Sequence, residues 1–176
     1  GVTTSAGSIY VADQRNHRIR KVTTDDTTST VAGTGAQGSQ DGPIATARFN
    51  RPYSLVAGSG DKLFVSDSYN NRIRLISGGV VSTVAGNAGG YKDGAGTQAQ
   101  FSRPWGITAT AGDVLYVADY YNHRIRKISS TAVVTTLAGS SNGFADGAGA
   151  NAKFSYPTGL DVDKDGNVFV ADNGNH

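Results

Sequence analysis

Few side chains in this 176-residue chain could do chemistry, and they fall at regular places. Three histidines, His17, His123 and His176, are candidate metal ligands or general bases. The fourteen acidic residues are all aspartate, so a paired-carboxylate mechanism would need two aspartates from separate segments. Arg18 and Arg20, Arg72 and Arg74, and Arg124 and Arg126 supply forked donors for phosphate or carboxylate. Gly33 to Gly38 reads G-x-G-x-x-G, the pattern that brings a pyrophosphate against a helix N-terminus. Asp161, Asp163, Asp165 and Gly166, followed by Asp172, imitate a calcium-binding loop. There is no cysteine for a disulfide or a thiolate metal site, and no P-loop.

The elements that carry these residues repeat. IYVADQRNHRIRKV at 9–22 returns as LFVSDSYNNRIRLI at 63–76, LYVADYYNHRIRKI at 115–128 and VFVADNGNH at 168–176. The marker aspartates Asp13, Asp67, Asp119 and Asp172 are spaced by 54, 52 and 53 residues, a period that means a repeat architecture. One full unit runs from Arg51 to Arg103. Its strands are predicted at 51–58, 61–67, 71–77 and 80–86, each alternating or β-branched and bounded by Gly, Asn, Asp or Pro. A long connection follows at 87–104, with counterparts at 34–52 and 140–157 that share Asp-Gly, then Ala, Phe and Pro. A four-strand meander alternating with a long connection describes the blade of a β-propeller, an all-β fold of antiparallel sheets. The expected layout is a partial blade at 1–33, blades at 51–86 and 103–139, and a partial blade at 156–176. That makes thirteen strands, which cannot close a ring, so completion is expected from the rest of a longer chain or from another copy. A chain that begins at Gly1 without an initiator methionine is read as a mature piece or a fragment.

The sequence resembles the NHL-repeat family. The resemblance rests on the Asn-His-Arg-Ile-Arg runs at 16–20 and 122–126, their variant at 70–74, the preceding Val-Ala/Ser-Asp, and the proline lead-in to each blade. It covers essentially the whole chain. It implies a propeller, commonly six-bladed, that serves as an interaction platform. It also implies an alternative, because some similar propellers are metal-dependent lyases or hydrolases, whose axial site missing blades would complete.

Set in the repeat, most of the candidate chemistry reads as scaffold. No helix of useful length follows Gly38, and the other connections do not keep the glycine pattern. The calcium-like stretch lies in a strand–turn–strand hairpin without flanking helices, where Asp-Gly is turn chemistry. The histidines hold one equivalent position, occupied by Asn71 in the second unit, so they are spread around a ring instead of converging. Asp13, Asp67 and Asp119 recur with Arg18, Arg72 and Arg124 and with the arginines two residues on, which points to pairing across a short hairpin. No catalytic residue, metal or cofactor is expected.

Function is sought where the copies differ. Tyr69, Tyr120 and Tyr121 on the bends, with Tyr91 and Phe144 on the long connections, break the repeat and are expected on one face. The reading is a non-enzymatic interaction module that binds a protein or a glycan there. Net charge of +2 implies neither a nucleic-acid partner nor a membrane surface, and no apolar run approaches the ~20 residues of a bilayer span. The Thr/Ser/Gly-rich, lysine-poor composition leans toward a secreted, surface or filament protein.

Overall fold

The computed structural model describes residues 1–176. The first sheet holds β1 (Val2–Ser5), β2 (Ser8–Asp13), β3 (Arg18–Val22) and β4 (Thr28–Ala32), paired antiparallel in chain order. A two-residue strand β5 (Gly42–Pro43) precedes β6 (Ser54–Ala57), β7 (Leu63–Asp67), β8 (Arg72–Ser77) and β9 (Val80–Ala85). These form a second sheet in the order β5-β9-β8-β7-β6. The third sheet repeats it, with β10 (Gly94–Ala95) outside β11 (Pro104–Ala109), β12 (Leu115–Asp119), β13 (Arg124–Ile128) and β14 (Val133–Ala138). Finally β15 (Pro157–Val162) pairs with β16 (Val168–Asp172). Every helical segment is a three-residue 3-10 turn.

The innermost strands β1, β6, β11 and β15 lie side by side, so the sheets stand as successive blades of a propeller arc. The expectation of an incomplete blade over 1–33 is corrected: its first strand is Val2–Ser5, and the blade has all four strands. That strand lacks the proline lead-in of its counterparts. It is joined to β2 by Ala6-Gly7, both at positive φ (47° and 71°), as a two-residue hairpin turn requires. The structure also adds β5 and β10, through which each long connection first pairs with the outermost strand of the next blade.

Two apolar cores sit between blades. One gathers Ile19 and Ala32 of the first blade against Leu55, Leu63, Val65 and Val81 of the second; the other sets Phe64 and Ile73 against Ile107, Leu115 and Val117. Phe49 and Phe101, the recurring aromatic of each long connection, plug these seams with no solvent exposure. The arc ends on two uncovered faces. Val2 and Ile9 are 64% and 44% exposed, whereas Leu55 and Leu63 at the same places in the second blade are 2% and 5%. Phe169 is 61% exposed, against 5% for its counterpart Phe64.

In a meander of this kind the first-to-second and third-to-fourth hairpins project at one end, here the hairpin face. The second-to-third bends and the long connections share the other, the loop face.

Candidate functional site

Each bend on the loop face is built by one aspartate. Asp67, fully buried, accepts hydrogen bonds from the Asn50 amide (2.7 Å), Asn70 Nδ2 (2.8 Å) and Arg74 Nη1 (2.7 Å). Asp119 repeats the set with the Ser102 amide, Asn122 and Arg126 at 2.7, 2.8 and 2.7 Å. Arg74 is itself fully buried and reaches across to Asp41 and to the carbonyls of Gln40 and Arg48, which ties the incoming connection to the blade. Arg126 does the same with Asp93 and the Lys92 and Gln100 carbonyls. No connection covers the first blade, so Asp13 is partly exposed and Arg20 stands 3.6 Å from it. An open recess of about 590 Å³ lies there over Val11, Asp13, Arg20 and Val22, and it marks the uncovered blade face.

The ion-pair partners are therefore Arg20, Arg74 and Arg126. Arg18, Arg72 and Arg124 lie in register opposite the aspartates, yet they do not pair with them. Arg18 and Arg72 donate to the Thr34 and Ser39 carbonyls of the connections, and Arg124 donates to the Asn122 carbonyl and covers Tyr91. Residues two apart share a sheet face, so alternation does not separate the two arginines. Arg74 and Arg126 are the ones fully buried under the incoming connection, whose carbonyls hold them beside the buried carboxylate.

The histidines serve the backbone. His17, Asn71 and His123 each end a bend in the left-handed conformation, at φ 54°, 56° and 55°. Each then accepts the amide that leads into the next blade. His17 Nδ1 takes Arg51 N–H at 3.0 Å, Asn71 Oδ1 takes Arg103 N–H at 2.8 Å, and His123 Nδ1 takes Tyr156 N–H at 3.2 Å. His and Asn exchange here because both offer a short-armed acceptor and tolerate positive φ. Burial lowers the pKa of both His17 and His123, and it holds them neutral with the acceptor nitrogen free. No three His or Asp side chains of the chain are gathered as a metal site would need.

The other motifs resolve the same way. Gly33 has φ 101°, and a Cβ there would lie 2.7 Å from the His17 carbonyl oxygen, so the glycine pattern begins at a backbone crossing. Asp163 turns inward, accepting from the Asp165 and Asn167 amides (2.9 and 2.8 Å) and from Asn167 Nδ2 (2.8 Å), and so closes a hairpin turn.

What remains is a run of aromatic and arginine side chains along the inner loop face. Trp105 is stacked between Tyr53 and Tyr120, with ring centres 4.2 and 3.8 Å away and interplanar angles of 16° and 11°. Tyr120 also meets Tyr121 edge-on at 4.9 Å and Tyr156 at 5.1 Å, and Tyr156 packs on His123 at 4.6 Å. Alongside runs an outer row. Tyr69 lies under Arg51 (4.7 Å) and Arg103 (3.5 Å), and Arg103 reaches on toward Tyr121 (5.8 Å).

The structure thus brings Tyr120 and Tyr121 together and joins Tyr69 to them through Arg103. It sets Tyr91 and Phe144 apart from this group. Tyr91 lies under Arg124 and Arg126 at 3.9 and 5.1 Å, with its hydroxyl 3.2 Å from Thr136 Oγ1. Phe144 is 73% exposed and meets no other ring. Both sit mid-connection; Tyr91 lies where the chain approaches the outermost strand β14 just before the pairing of β10, and Phe144 holds the equivalent place in the next connection. The sequence reading missed Tyr53, Trp105 and Tyr156, which flank the recurring prolines and so look like scaffold. The available signal was that these positions do change between copies: Tyr53, Trp105 and Thr158 after the proline, Arg51, Arg103 and Tyr156 before it.

Antiparallel meanders set side by side, with a buried Asp–Arg pair in the second and third that ties the incoming connection to the blade, define a β-propeller. The NHL repeat model matches residues 101–128 and 154–176. The chain is 30% identical over 183 residues to the chloroplastic Protein SUPPRESSOR OF QUENCHING 1 of Arabidopsis thaliana, covering 95% of this chain and 17% of that protein. It is 35% identical over 148 residues to NHL repeat-containing protein 2 of Homo sapiens, covering 74% of this chain and 20% of that protein. The chain belongs to the NHL-repeat family, and it spans about a fifth of the length of these curated relatives. Among solved structures, an auxiliary nutrient binding protein from Bacteroides ovatus superposes with a TM-score of 0.76 at 22% identity, over 97% of this chain and 44% of that one. Virginiamycin B lyase from Staphylococcus aureus superposes at 0.65 and 16%, over 98% and 48%. At such identities the likeness shows the propeller fold.

Proposed function

We propose that this propeller segment is a non-enzymatic binding module that recognises a protein or glycan partner through its loop face. The observation that carries the reading is the aromatic run Tyr53–Trp105–Tyr120 with Tyr121 and Tyr156 beside it. Five aromatic residues from three blades meet at positions where the repeat demands only a backbone hydrogen bond. Their rings are fixed by mutual stacking, so little side-chain entropy is lost on binding, and aromatic tips of this kind are enriched at interaction hot spots. The nutrient-binding name of one structural neighbour agrees with a binding role, and the lyase name of another belongs to that protein.

The test is a panning experiment. A random peptide display library and a glycan array are probed with the wild-type chain, with Y120S/Y121S, and with F169D, which alters the uncovered face of the last blade. The reading expects ligands that are lost with Y120S/Y121S and kept with F169D. Ligands insensitive to the tyrosine change and lost with F169D would assign binding to the open blade face and contradict it.

A further inference from the structure

The outer row of the loop face has a chemistry of its own. Arg51 and Arg103 both lie over Tyr69, and Arg51 Nη1 also donates to the Tyr69 hydroxyl at 3.0 Å. Contact with a ring leaves guanidinium N–H donors available to a carboxylate, and Arg51, which spends one Nη1 donor on the Tyr69 hydroxyl, keeps its Nε–Nη2 edge for a fork. The arginines of the scaffold, Arg20, Arg74 and Arg126, each have an aspartate of the chain as partner. Arg51 and Arg103 pair with no carboxylate of the chain. The fold does not demand arginine at either place. It needs the amide that His17 or Asn71 accepts and a left-handed turn, and Tyr156 supplies both in the next blade at φ 54°.

We infer that Arg51 and Arg103, held by Tyr69, form a two-carboxylate receptor for an extended acidic polypeptide segment. The inference rests on the loop-face reading above and names the partner's chemistry. Lying 4.7 and 3.5 Å from one ring centre, the two guanidinium carbons are no more than about 8 Å apart. Alternate side chains of an extended peptide on one side of the strand are separated by about 6.6–6.8 Å. That bound accommodates carboxylates at i and i+2, one on each guanidinium, and Arg103 continues the row toward Tyr121, 5.8 Å away.

The charge pattern points the same way. The net charge of +2 hides a polarised molecule. The loop face adds Arg15, Arg18, Arg48, Arg72, Lys92 and Lys153 to this pair against Asp41, Asp93 and Asp146, whereas the hairpin tips carry Asp25, Asp26, Asp61, Asp113, Asp163 and Asp165 against Lys62 and Lys164. An acidic partner is steered to the first face and repelled by the second. Nucleic-acid bases and sugar rings bind by stacking on open aromatic faces. Trp105 has both faces covered by Tyr53 and Tyr120, so the column offers ring edges and polar tips instead.

The test uses fluorescence anisotropy with a labelled eight-residue peptide of alternating Asp and Ser. The inference expects it to bind at least tenfold tighter than the same peptide with Asn for Asp. R51Q/R103Q should lose at least tenfold, and R51K/R103K, which keeps charge but not the fork, should lose most of that. R15Q/R48Q removes equal charge from the same face and should change affinity less than twofold. Equal losses in R51Q/R103Q and R15Q/R48Q would overturn the receptor in favour of diffuse charge. Tighter competition by an oligo(dT) octamer or by polygalacturonate would replace the peptide with a nucleic acid or an acidic glycan. A silent Asp-Ser peptide, with panned ligands that still depend on Tyr120 and Tyr121, would overturn this inference alone; loss of both would remove the loop-face reading itself.

Discussion

The buried Asp67 tests the claim that blades are stapled through their bends, because the repeat supplies its own control. Asp67→Ala removes the acceptor of the Asn50 amide, Asn70 Nδ2 and Arg74 Nη1, and it leaves a fully buried guanidinium short of one of its two carboxylates. Breaking a buried pair by removing one partner costs about 3–5 kcal/mol, chiefly from the charge left behind. Asp13→Ala deletes the same repeat position where the carboxylate is a quarter exposed and the arginine 3.6 Å away. An exposed pair of that kind contributes about 0–1 kcal/mol. For a chain of this length each kcal/mol shifts the melting temperature by about 2–4 °C, so D67A should melt roughly 6–20 °C below wild type and D13A within about 4 °C. The assay is thermal and guanidinium unfolding followed by far-UV circular dichroism. D67N keeps the shape and an amide-oxygen acceptor but not the charge opposite Arg74, and should fall between the two. Equal losses for D67A and D13A would refute the reasoning, since the difference comes wholly from the connection that buries one site and not the other.

Further outcomes follow from the same contacts. Burial lowers the pKa of His17 and His123, so the folded chain binds fewer protons there than the unfolded chain; their stabilisation is present above about pH 6.5 and is lost as pH falls below it. H17N/H123N, which copies Asn71, should flatten melting temperature between pH 7.5 and 5, and an unchanged slope would remove the amide-acceptor role. Burial alone would raise the Asp113 pKa, but Lys62 and Ser59 outweigh it and hold the carboxyl at about 2. This clamp between the second and third blades is present above about pH 3.8 and lost as pH falls through about 2, so D113N should show a shallower acid dependence; an identical acid profile would count against it. Y120S/Y121S breaks one stacked and three edge or tilted ring contacts worth about 0.5–1.5 kcal/mol each, so it should lower the melting temperature by roughly 4–24 °C with the chain still folded at about 25 °C, and outright unfolding would make those rings scaffold.

The propeller was legible in the sequence because each blade solves one packing problem with one pattern: Val-Ala/Ser-Asp, a three-residue bend, then Arg-Ile-Arg. The first strand was not, because Val2–Ser5 has neither the proline lead-in nor a buried neighbour on its outer side. Which of two arginines pairs with the aspartate was also hidden. Arg72 is the register partner of Asp67, yet Arg74 reaches its carboxylate, a choice made by the buried geometry of the connection. The aromatic face was legible only in part. Tyr120 and Tyr121 stood out as departures from the repeat, but Tyr53, Trp105 and Tyr156 sit beside prolines whose recurrence hid the variation around them. Tyr91 and Phe144 looked equivalent to the bend tyrosines because sequence does not show how far a long connection swings from the axis.

The inner loop face is the surface we propose for the partner. Amide hydrogen exchange, with and without the tightest ligand from the panning experiment, tests it most directly. Protection is expected at residues 50–54, 68–71, 102–106, 119–123 and 155–157 and nowhere else. Protection centred on Val168–Asp172 or on the hairpins at 59–62 and 163–166, with the loop face unchanged, would contradict it.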